Sequence, residues 1–335
     1  MKRIASFFLA LALAFSLTAC TVPVEKADDG KIQIVATLFP YYDFARAIAG
    51  DRADVTLLLS PGREAHSFEP TPLDAVTISE SDVFLYNGGE GEYWVDSMLG
   101  AAGENIAVIA RMMDYVDALD EEYVEGMQGA DGHDHDHEHG SHDDHDHDHE
   151  EDEHDSDEIE YDEHIWTSPK NAVVLCRAVC DAICRADAEN AAFYRANCEN
   201  YCAQLEDLDA RFAALCESAP RRLLIFADRF PMLYFCREYG LDYRAAFHGC
   251  SGDTEPSLAT IKFLIDKVED ENIPVVYTID FGTKKVAAVV SECTGAAIET
   301  LYSMQTVSRA DFDAGETYLT LMERNFETLR KGLNE

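Results

Sequence analysis

Short β-branched runs alternate with helical patterns in two separate parts of the chain. The first part predicts strands at residues 32–38, 55–59 and 83–86 and a helix over 41–48. The second part predicts strands at 223–226, 275–279 and 296–302 and helices at 232–239, 257–268, 284–293 and 316–329. The pattern therefore predicts an α/β fold with two lobes, each a small open sheet flanked by helices.

Two further helical patterns lie between these parts. Ser168 followed by Pro169 is typical of an N-cap with proline at the first helical position, and apolar residues continue to Ile183. Residues 190–216 carry one apolar stripe with no Gly or Pro, which predicts a rod of about 40 Å. Such a helix can join two lobes. We expect a first lobe at residues 31–187, a linking helix at 188–217 and a second lobe at 218–335.

The amino terminus has the pattern of a secretory signal. Two basic residues precede an apolar run at 4–17, which is long enough for a signal-peptide core but short for a membrane span. The run ends in Leu17-Thr18-Ala19-Cys20, which resembles the lipobox of bacterial lipoproteins. We expect residues 1–20 to be a lipoprotein signal peptide, Cys20 to carry the lipid, and residues 21–30 to be a tether. The body would then be extracytoplasmic and anchored to the bacterial cell membrane, whereas a plain secretory signal is the alternative.

Charge is concentrated in one stretch. The chain has 65 acidic and 26 basic residues, a formal net charge of −39, which argues against nucleic-acid or anionic-surface partners. Of the acidic residues, 24 lie between Asp114 and Glu163, where there is no Lys or Arg. Because 47% of the residues are hydrophobic, the remainder is expected to fold around an ordinary core.

Most of the histidines fall in that acidic stretch. Alternating imidazoles and carboxylates cannot bury enough apolar surface to order themselves, so we expect a disordered loop over residues 117–160. Neutral imidazole suits Zn, Cu and Ni, and closely spaced copies would give many overlapping weak sites. A merely solvated acidic linker is the alternative. The predicted metal-capture histidines are His133, His135, His137, His139, His142, His145, His147, His149 and His154.

Cysteines recur at helical spacing. Nine remain after Cys20, so at least one thiol stays unpaired or pairs between chains. Five of them repeat every four residues in the two middle helices: Cys176, Cys180, Cys184, Cys198 and Cys202. We interpret these as small buried hydrophobic residues on helix faces. A thiolate metal site is the alternative that the absence of any C-x-x-C pair disfavours.

Two histidines outside the loop lie in defined motifs. His66 follows Gly62 in a Gly-x-x-x-His segment after a predicted strand, and His164 lies in Asp162-Glu163-His164-Ile165-Trp166-Thr167-Ser168-Pro169-Lys170-Asn171-Ala172. Both segments resemble those of the substrate-binding lipoproteins of bacterial zinc and manganese ABC importers. The resemblance covers nearly everything after residue 30, and it includes a His-rich acidic loop just before the second motif.

The resemblance implies two α/β lobes joined by a long rigid helix, with one metal ion in the cleft and His66 and His164 as first-lobe ligands. It also implies a function. The chain would be the extracytoplasmic subunit that captures Zn²⁺ and delivers it to a membrane permease and, through it, to an ATPase. We expect it to be monomeric.

The second lobe departs from the family pattern. The family's third histidine falls on Arg229 in an ungapped alignment, and a cation there would repel a divalent metal. The remaining candidate ligands are Asp228, His248, Cys250 and Asp280, and any of these can equally be structural.

Three other functions are alternatives to zinc import. Manganese selectivity in the same fold would favour more oxygen ligands, whereas the loop histidines and Cys250 favour zinc. A surface zinc buffer or adhesin without a transporter would use the same site. A zinc hydrolase would need an open coordination position and a general base, and because no H-E-x-x-H motif occurs we expect no enzyme activity.

Overall fold

Two parallel four-stranded sheets form the two lobes of the computed structural model, which describes residues 30–63, 67–102, 105–129, 160–251 and 255–334. The first sheet contains β1 (Ile32–Ala36), β2 (Ala53–Leu57), β3 (Val83–Tyr86) and β4 (Val108–Arg111), and the second contains β5 (Leu223–Phe230), β6 (Asp242–His248), β7 (Val275–Ile279) and β8 (Ala297–Leu301). Their strand orders, β2-β1-β3-β4 and β6-β5-β7-β8, are the same topology. The predicted α/β fold with two lobes is confirmed.

Helices flank both sheets and occupy the region between them. They are α1 (Phe39–Ala49), α2 (Pro72–Ser79), α3 (Trp94–Ala102), α4 (Pro169–Ala186), α5 (Ala191–Ser218), α6 (Leu233–Tyr239), α7 (Leu258–Asp270), α8 (Lys285–Thr294), α9 (Arg309–Ala314) and α10 (Tyr318–Asn334). Helix α4 begins as its sequence predicts, because the Ser168 hydroxyl accepts the Asn171 N–H at 3.3 Å and Pro169 follows at the first position. In the described part of the chain, no helix combines the length and apolar character needed to cross a membrane.

The long helix α5 is embedded in a core that both lobes share. Its Tyr201 ring lies 5.7 Å from Phe44 of α1, and its Phe212 ring lies 4.9 Å from Phe235 of α6. Buried side chains of both sheets belong to the same continuous cluster. The helix therefore joins the lobes by packing against both of them, which leaves little apolar surface exposed along it.

A buried carboxylate fixes three helices relative to one another. Asp43 of α1 is 3% exposed and accepts the Tyr201 hydroxyl at 2.7 Å and the Tyr318 N–H, at the start of α10, at 2.9 Å. Burial raises the pKa of Asp43, although these two hydrogen bonds oppose the rise. Since α10 is bonded to α1 through Asp43, α10 of the second lobe is held on the first lobe.

Residues 117–129, placed in the His-rich loop by the sequence prediction, have defined structure. Asp120 forms an antiparallel bridge with Tyr161, and the Gln128 N–H donates to the Ala246 carbonyl at 3.0 Å. The segment is ordered because Leu119 and Met127 pack against the core. A segment of acidic residues alone would have no apolar side chains to bury in this way. It runs from the first lobe onto the second, and it is referred to below as the strap. The rest of the predicted loop, residues 130–159, lies outside the described residues.

Glu92 is a buried acid of the first lobe. Glu92 is 8% exposed and accepts the Gly88 N–H at 2.8 Å, and burial raises the pKa of its carboxyl from 4.5 to about 7. The folded state therefore holds this proton more tightly, so the contribution of Glu92 to stability is greatest below pH 4.5 and is lost as the pH rises through about 7.

Glu92→Gln is expected to raise the free energy of unfolding at pH 8 by up to about 3 kcal/mol and to change it little at pH 4. Urea denaturation of the metal-free protein at both pH values measures this. Glu90→Gln, at an exposed position two residues away, is the control and should shift neither midpoint. An equal effect of Glu92→Gln at both pH values would contradict the assignment.

Candidate metal centre

His164 is the described residue on which a metal centre in the cleft depends. It is 2% exposed and lies directly before the 3-10 turn Ile165–Thr167. Its Nδ1 lies 3.1 Å from Asp162 Oδ1, which also accepts the His164 backbone N–H at 2.8 Å. In the neutral ring, Nδ1–H would donate to this carboxylate and Nε2 would carry the lone pair. This is the tautomer and the second-shell partner that metal-binding histidines commonly have.

Burial and charge act in opposite directions on His164. Burial lowers the pKa of the imidazole, but the Asp162 carboxylate, with Glu163 and Glu121 further away, outweighs it and leaves the pKa above the ordinary value of 6.5. The negative charge around the ring favours a bound cation, whether that cation is a proton or a metal ion. The site is therefore electrostatically suited to a divalent cation.

The second described histidine at the cleft has the same kind of partner. His248 ends β6, and its Nδ1 lies 2.9 Å from Glu121 Oε1 of the strap. Burial alone would raise the pKa of Glu121, but the His248 ring beside it and the Cys250 N–H hold the pKa below its ordinary value. Glu121 also accepts the Cys250 N–H at 3.3 Å, and the Tyr123 ring lies 5.1 Å from the His248 ring. The strap thus orients the loop that carries both candidate ligands.

Gly249 brings this loop against His164. A Cβ atom at Gly249 would lie 2.9 Å from His164 Cε1 and 3.0 Å from its Nδ1, closer than real Cβ contacts allow. The backbone of this loop therefore lies against the His164 ring, although the flanking candidates His248 and Cys250 line a different space from His164. His248 and Cys250 line a cavity of about 310 Å³, together with Glu121, Glu160 and Glu163.

The two candidate aspartates are engaged with the backbone. Asp228 Oδ1 accepts the Arg229 N–H at 2.9 Å and its Oδ2 accepts the Ile279 N–H at 3.3 Å. Asp280 Oδ1 accepts the Ser303 N–H at 3.1 Å. These bonds tie together the carboxyl ends of neighbouring strands, which is a structural task for both residues.

Arg229 lies beside His164, as the alignment suggested for the missing third histidine. Both residues line a narrow space of about 20 Å³, with Gln305 and Ser303 on its far side. A guanidinium is always charged and cannot ligate a metal. The position therefore supplies positive charge to the cleft where the sequence pattern of the family places a ligand.

Several predicted site residues lie outside the described residues. These are Cys20, His66 and the nine loop histidines. Of the residues that the structure does describe, no three His, Cys, Asp or Glu donors come within 4.8 Å of one another in this cleft. His164, His248 and Cys250 are brought to one region without forming a closed coordination set by themselves.

Sequence reasoning missed Glu121. Its acidic surroundings placed it in the predicted loop, and only its position two residues after the apolar Leu119 signalled that it belongs to an ordered segment. The pairing of Glu121 with His248 is a contact between positions 127 residues apart, which no local pattern reveals.

Proteins of known function that resemble this chain include zinc-binding lipoproteins. A sequence model of the family described as "ZnuA: Zinc-uptake complex component A periplasmic" matches residues 34–332. The zinc-binding lipoprotein AdcA of Streptococcus pneumoniae (strain ATCC BAA-255 / R6) is 30% identical over 340 residues, which are 99% of this chain and 61% of AdcA. The high-affinity zinc uptake system protein ZnuA of Bacillus subtilis (strain 168) is 30% identical over 336 residues, 99% of this chain and 98% of that protein.

Solved structures share the fold. The metal-dependent lipoprotein YcdH from Bacillus subtilis matches with a TM-score of 0.71 at 28% identity, covering 90% of this chain and 100% of that one. The Zn(II)-bound ZnuA-like domain of Streptococcus pneumoniae AdcA also has a TM-score of 0.71, at 24% identity, and covers 91% of this chain and 100% of that domain. At that identity the second likeness concerns the fold alone.

The Asp162 partner generates a prediction for the metal-free protein. Asp162→Asn is expected to lower the pKa of His164, because burial then acts without the opposing carboxylate. An NMR titration of the His164 ring in a variant lacking residues 131–155 measures this without the loop signals. Asp313→Asn, an exposed change on α9, should leave the titration unchanged. A His164 pKa that does not fall in Asp162→Asn would show that other groups set it.

Proposed function

The chain belongs to the family of the periplasmic component A of the zinc-uptake complex, and on that premise we propose that it is the extracytoplasmic zinc-binding subunit of an ABC importer. It would capture Zn²⁺ in the cleft and deliver it to a membrane permease coupled to an ATPase. The observation that carries the proposal is the buried His164 ring, held by Asp162 in its ligating tautomer. This role is binding and release, for which a closed set of protein ligands suffices.

The proposed ligands are His66 and His164 from the first lobe and His248 from the second, with Cys250 as the nearest additional donor. His248 is preferred because Glu121 orients its ring as Asp162 orients His164. Asp228 and Asp280 are assigned to structure, since their oxygens accept backbone N–H groups.

Strand pairing supports the shift of the ligand from Arg229 to His248. Strands β5 and β6 are parallel neighbours, with Arg229 opposite Phe247 and Phe230 opposite His248. Because neighbouring strands lie about 4.8 Å apart, a side chain at the end of β6 reaches the same edge of the sheet. The ligand would therefore move by one strand while the cleft stays the same.

The donor chemistry favours zinc over manganese. Imidazole and thiolate suit Zn²⁺, whereas Mn²⁺ prefers carboxylate, carbonyl and water oxygens. The proposed set holds three imidazoles, and Cys250 would add sulfur. Zinc is therefore the proposed cargo of the cleft.

The His-rich loop is proposed to concentrate metal beside the cleft. The chain enters the described structure again at Glu160, and Glu160 and Tyr161 line the same cavity as His248. Metal held by histidines attached at this rim would be released next to the proposed site. Weak, overlapping loop sites and one tight cleft site would then act in sequence.

We further propose that Cys20 carries a lipid that anchors the protein to the membrane and that the protein acts as a monomer. The lipobox-like sequence before Cys20 supports the anchor. The acidic character of the chain makes attraction to an anionic membrane surface a poor substitute for it.

Zinc stoichiometry and affinity test the proposal directly. With residues 131–155 deleted, one tight Zn²⁺ per chain that depends on the cleft histidines is expected by chelator competition. His66→Ala, His164→Ala or His248→Ala in that background should weaken zinc binding by more than about a hundredfold. Mutating a residue that only orients a ligand already lowers metal affinity about 10–100-fold, and removing the ligand itself should lower it further. Asp280→Asn is the control and should keep the affinity. If all tight zinc is lost with the loop, the cleft is not the site.

Gly249 provides an independent test of the cleft geometry. Gly249→Ala is expected to weaken zinc binding by about tenfold or more, because the new Cβ displaces the His164 ring. Gly100→Ala is the matched control, because a Cβ there meets no atom within 4 Å. Isothermal titration of both variants measures the difference. Equal affinities would mean that His164 does not have to hold this position.

A further inference from the structure

A cluster of thiols lies where α4 packs against α5, apart from the cleft. The two helices are consecutive, and each presents cysteines at four-residue spacing to the other. All five side chains are buried and unbridged: Cys176, Cys180, Cys184, Cys198 and Cys202. The sequence interpretation as buried hydrophobic residues accounts for the burial, but it does not account for the convergence of the sulfur atoms.

The sulfur atoms are spaced like metal ligands. Cys176, Cys198 and Cys202 have their sulfurs within 4.8 Å of one another, and Cys198 Sγ lies 3.8 Å from Cys202 Sγ. Four thiolates at about 2.3 Å from a tetrahedral metal ion lie about 3.8 Å from each other. In the part of the chain that the structure describes, this is the one such group of three His, Cys, Asp or Glu donors.

From this geometry we propose that Cys176, Cys198 and Cys202, with Cys180 as fourth ligand, form a second metal site that takes a thiophilic d¹⁰ cation such as Zn²⁺. Cys180 follows Cys176 by one turn of α4, lines the same depression as Cys198 and Cys202, and would complete the set from the α4 side. The site contains no histidine or carboxylate, so it differs in chemistry from the cleft. Occupancy would clamp α4 to α5.

Solvent reaches the edge of the cluster. Cys180, Cys198 and Cys202 line a surface depression of about 420 Å³, whose rim includes Arg177 and Arg195. Three carboxylates, Asp181, Glu199 and Glu206, line the same depression, so a cation can approach the thiols from this side without unfolding of the helix pair. Cys176 lies deeper, at 0% exposed.

Disulfide formation is the competing chemistry. Within one helix, residues four apart have Cβ atoms about 5–6 Å apart, which exceeds the separation a disulfide accepts. Only cross-helix bridges between α4 and α5 could form. Metal binding uses all four sulfurs without requiring an oxidant.

The test uses the full chain, reduced and stripped of metal under anaerobic conditions, with Cd²⁺ as the probe. Thiolate-to-metal charge-transfer absorption in the ultraviolet is expected to grow to one equivalent at this site. Cys198→Ser should abolish this contribution, and Cys216→Ser, equally buried on α5, should retain it. Circular dichroism checks folding, and Cys202→Ser replaces Cys198→Ser if the latter does not fold.

The outcomes separate this site from the cleft. His164→Ala should keep the thiolate absorption, whatever its effect on zinc binding in the cleft. Identical absorption in the parent and in Cys198→Ser would overturn the proposal. It would also be overturned if alkylation and peptide mapping of the protein, purified without reductant, found the cross-helix disulfides and if the reduced protein failed to bind Cd²⁺ through these thiols.

Discussion

The cleft depends on the hydrogen bond between the buried His164 and Asp162. The same Asp162 oxygen accepts the His164 backbone N–H, so ring and backbone are fixed together. Two residues on, the Trp166 indole donates to the Ser303 carbonyl of the second lobe at 2.7 Å, and the Tyr318 hydroxyl donates to the Trp166 carbonyl at 2.7 Å. The position of the candidate ligand is therefore set by the contact between the lobes.

The strap likewise makes the position of the second lobe's candidate ligand depend on the first lobe. Glu121 lies on the strap, which follows β4 of the first sheet, and its Oε1 lies 2.9 Å from Nδ1 of His248 at the end of β6. The Tyr234 hydroxyl donates to the Asp162 carbonyl at 2.7 Å and accepts the Leu119 N–H at 3.0 Å, so it joins α6 to both the strap and the His164 segment. The two described histidines, His164 and His248, each lie beside a carboxylate, and these supports are mutually connected. A change in lobe geometry would therefore alter both histidines.

Elements with strong local signals were predictable from the sequence. The strand Val275–Ile279 was predicted with its observed ends, and α4 begins at the predicted Ser168-Pro169 signal. Strand β6 was missed because its sequence, DYRAAFH, mixes charged residues and alanines, and its strand conformation comes from pairing with β5 rather than from local preference. The site was predictable only as far as its motifs extend. His164 was found by its motif, whereas Glu121 required the tertiary fold.

Arg229 at the position of the family's third histidine would be compatible with the proposed cleft site because of the sheet's geometry. In a parallel sheet the carboxyl ends of adjacent strands meet at one edge, so residues at the ends of β5 and β6 lie at the same edge. The β5 strand has a register irregularity between Phe226 and Arg229, which allows Asp228 to accept the Ile279 N–H of β7. Arg229 follows that irregularity and lines a narrow space together with His164, so its positive charge lies beside that ring. A cation there would weaken the hold on a divalent ion bound by the ring. A binding protein that must also release its cargo can tolerate such a charge, provided that an uncharged donor on the neighbouring strand supplies the missing bond.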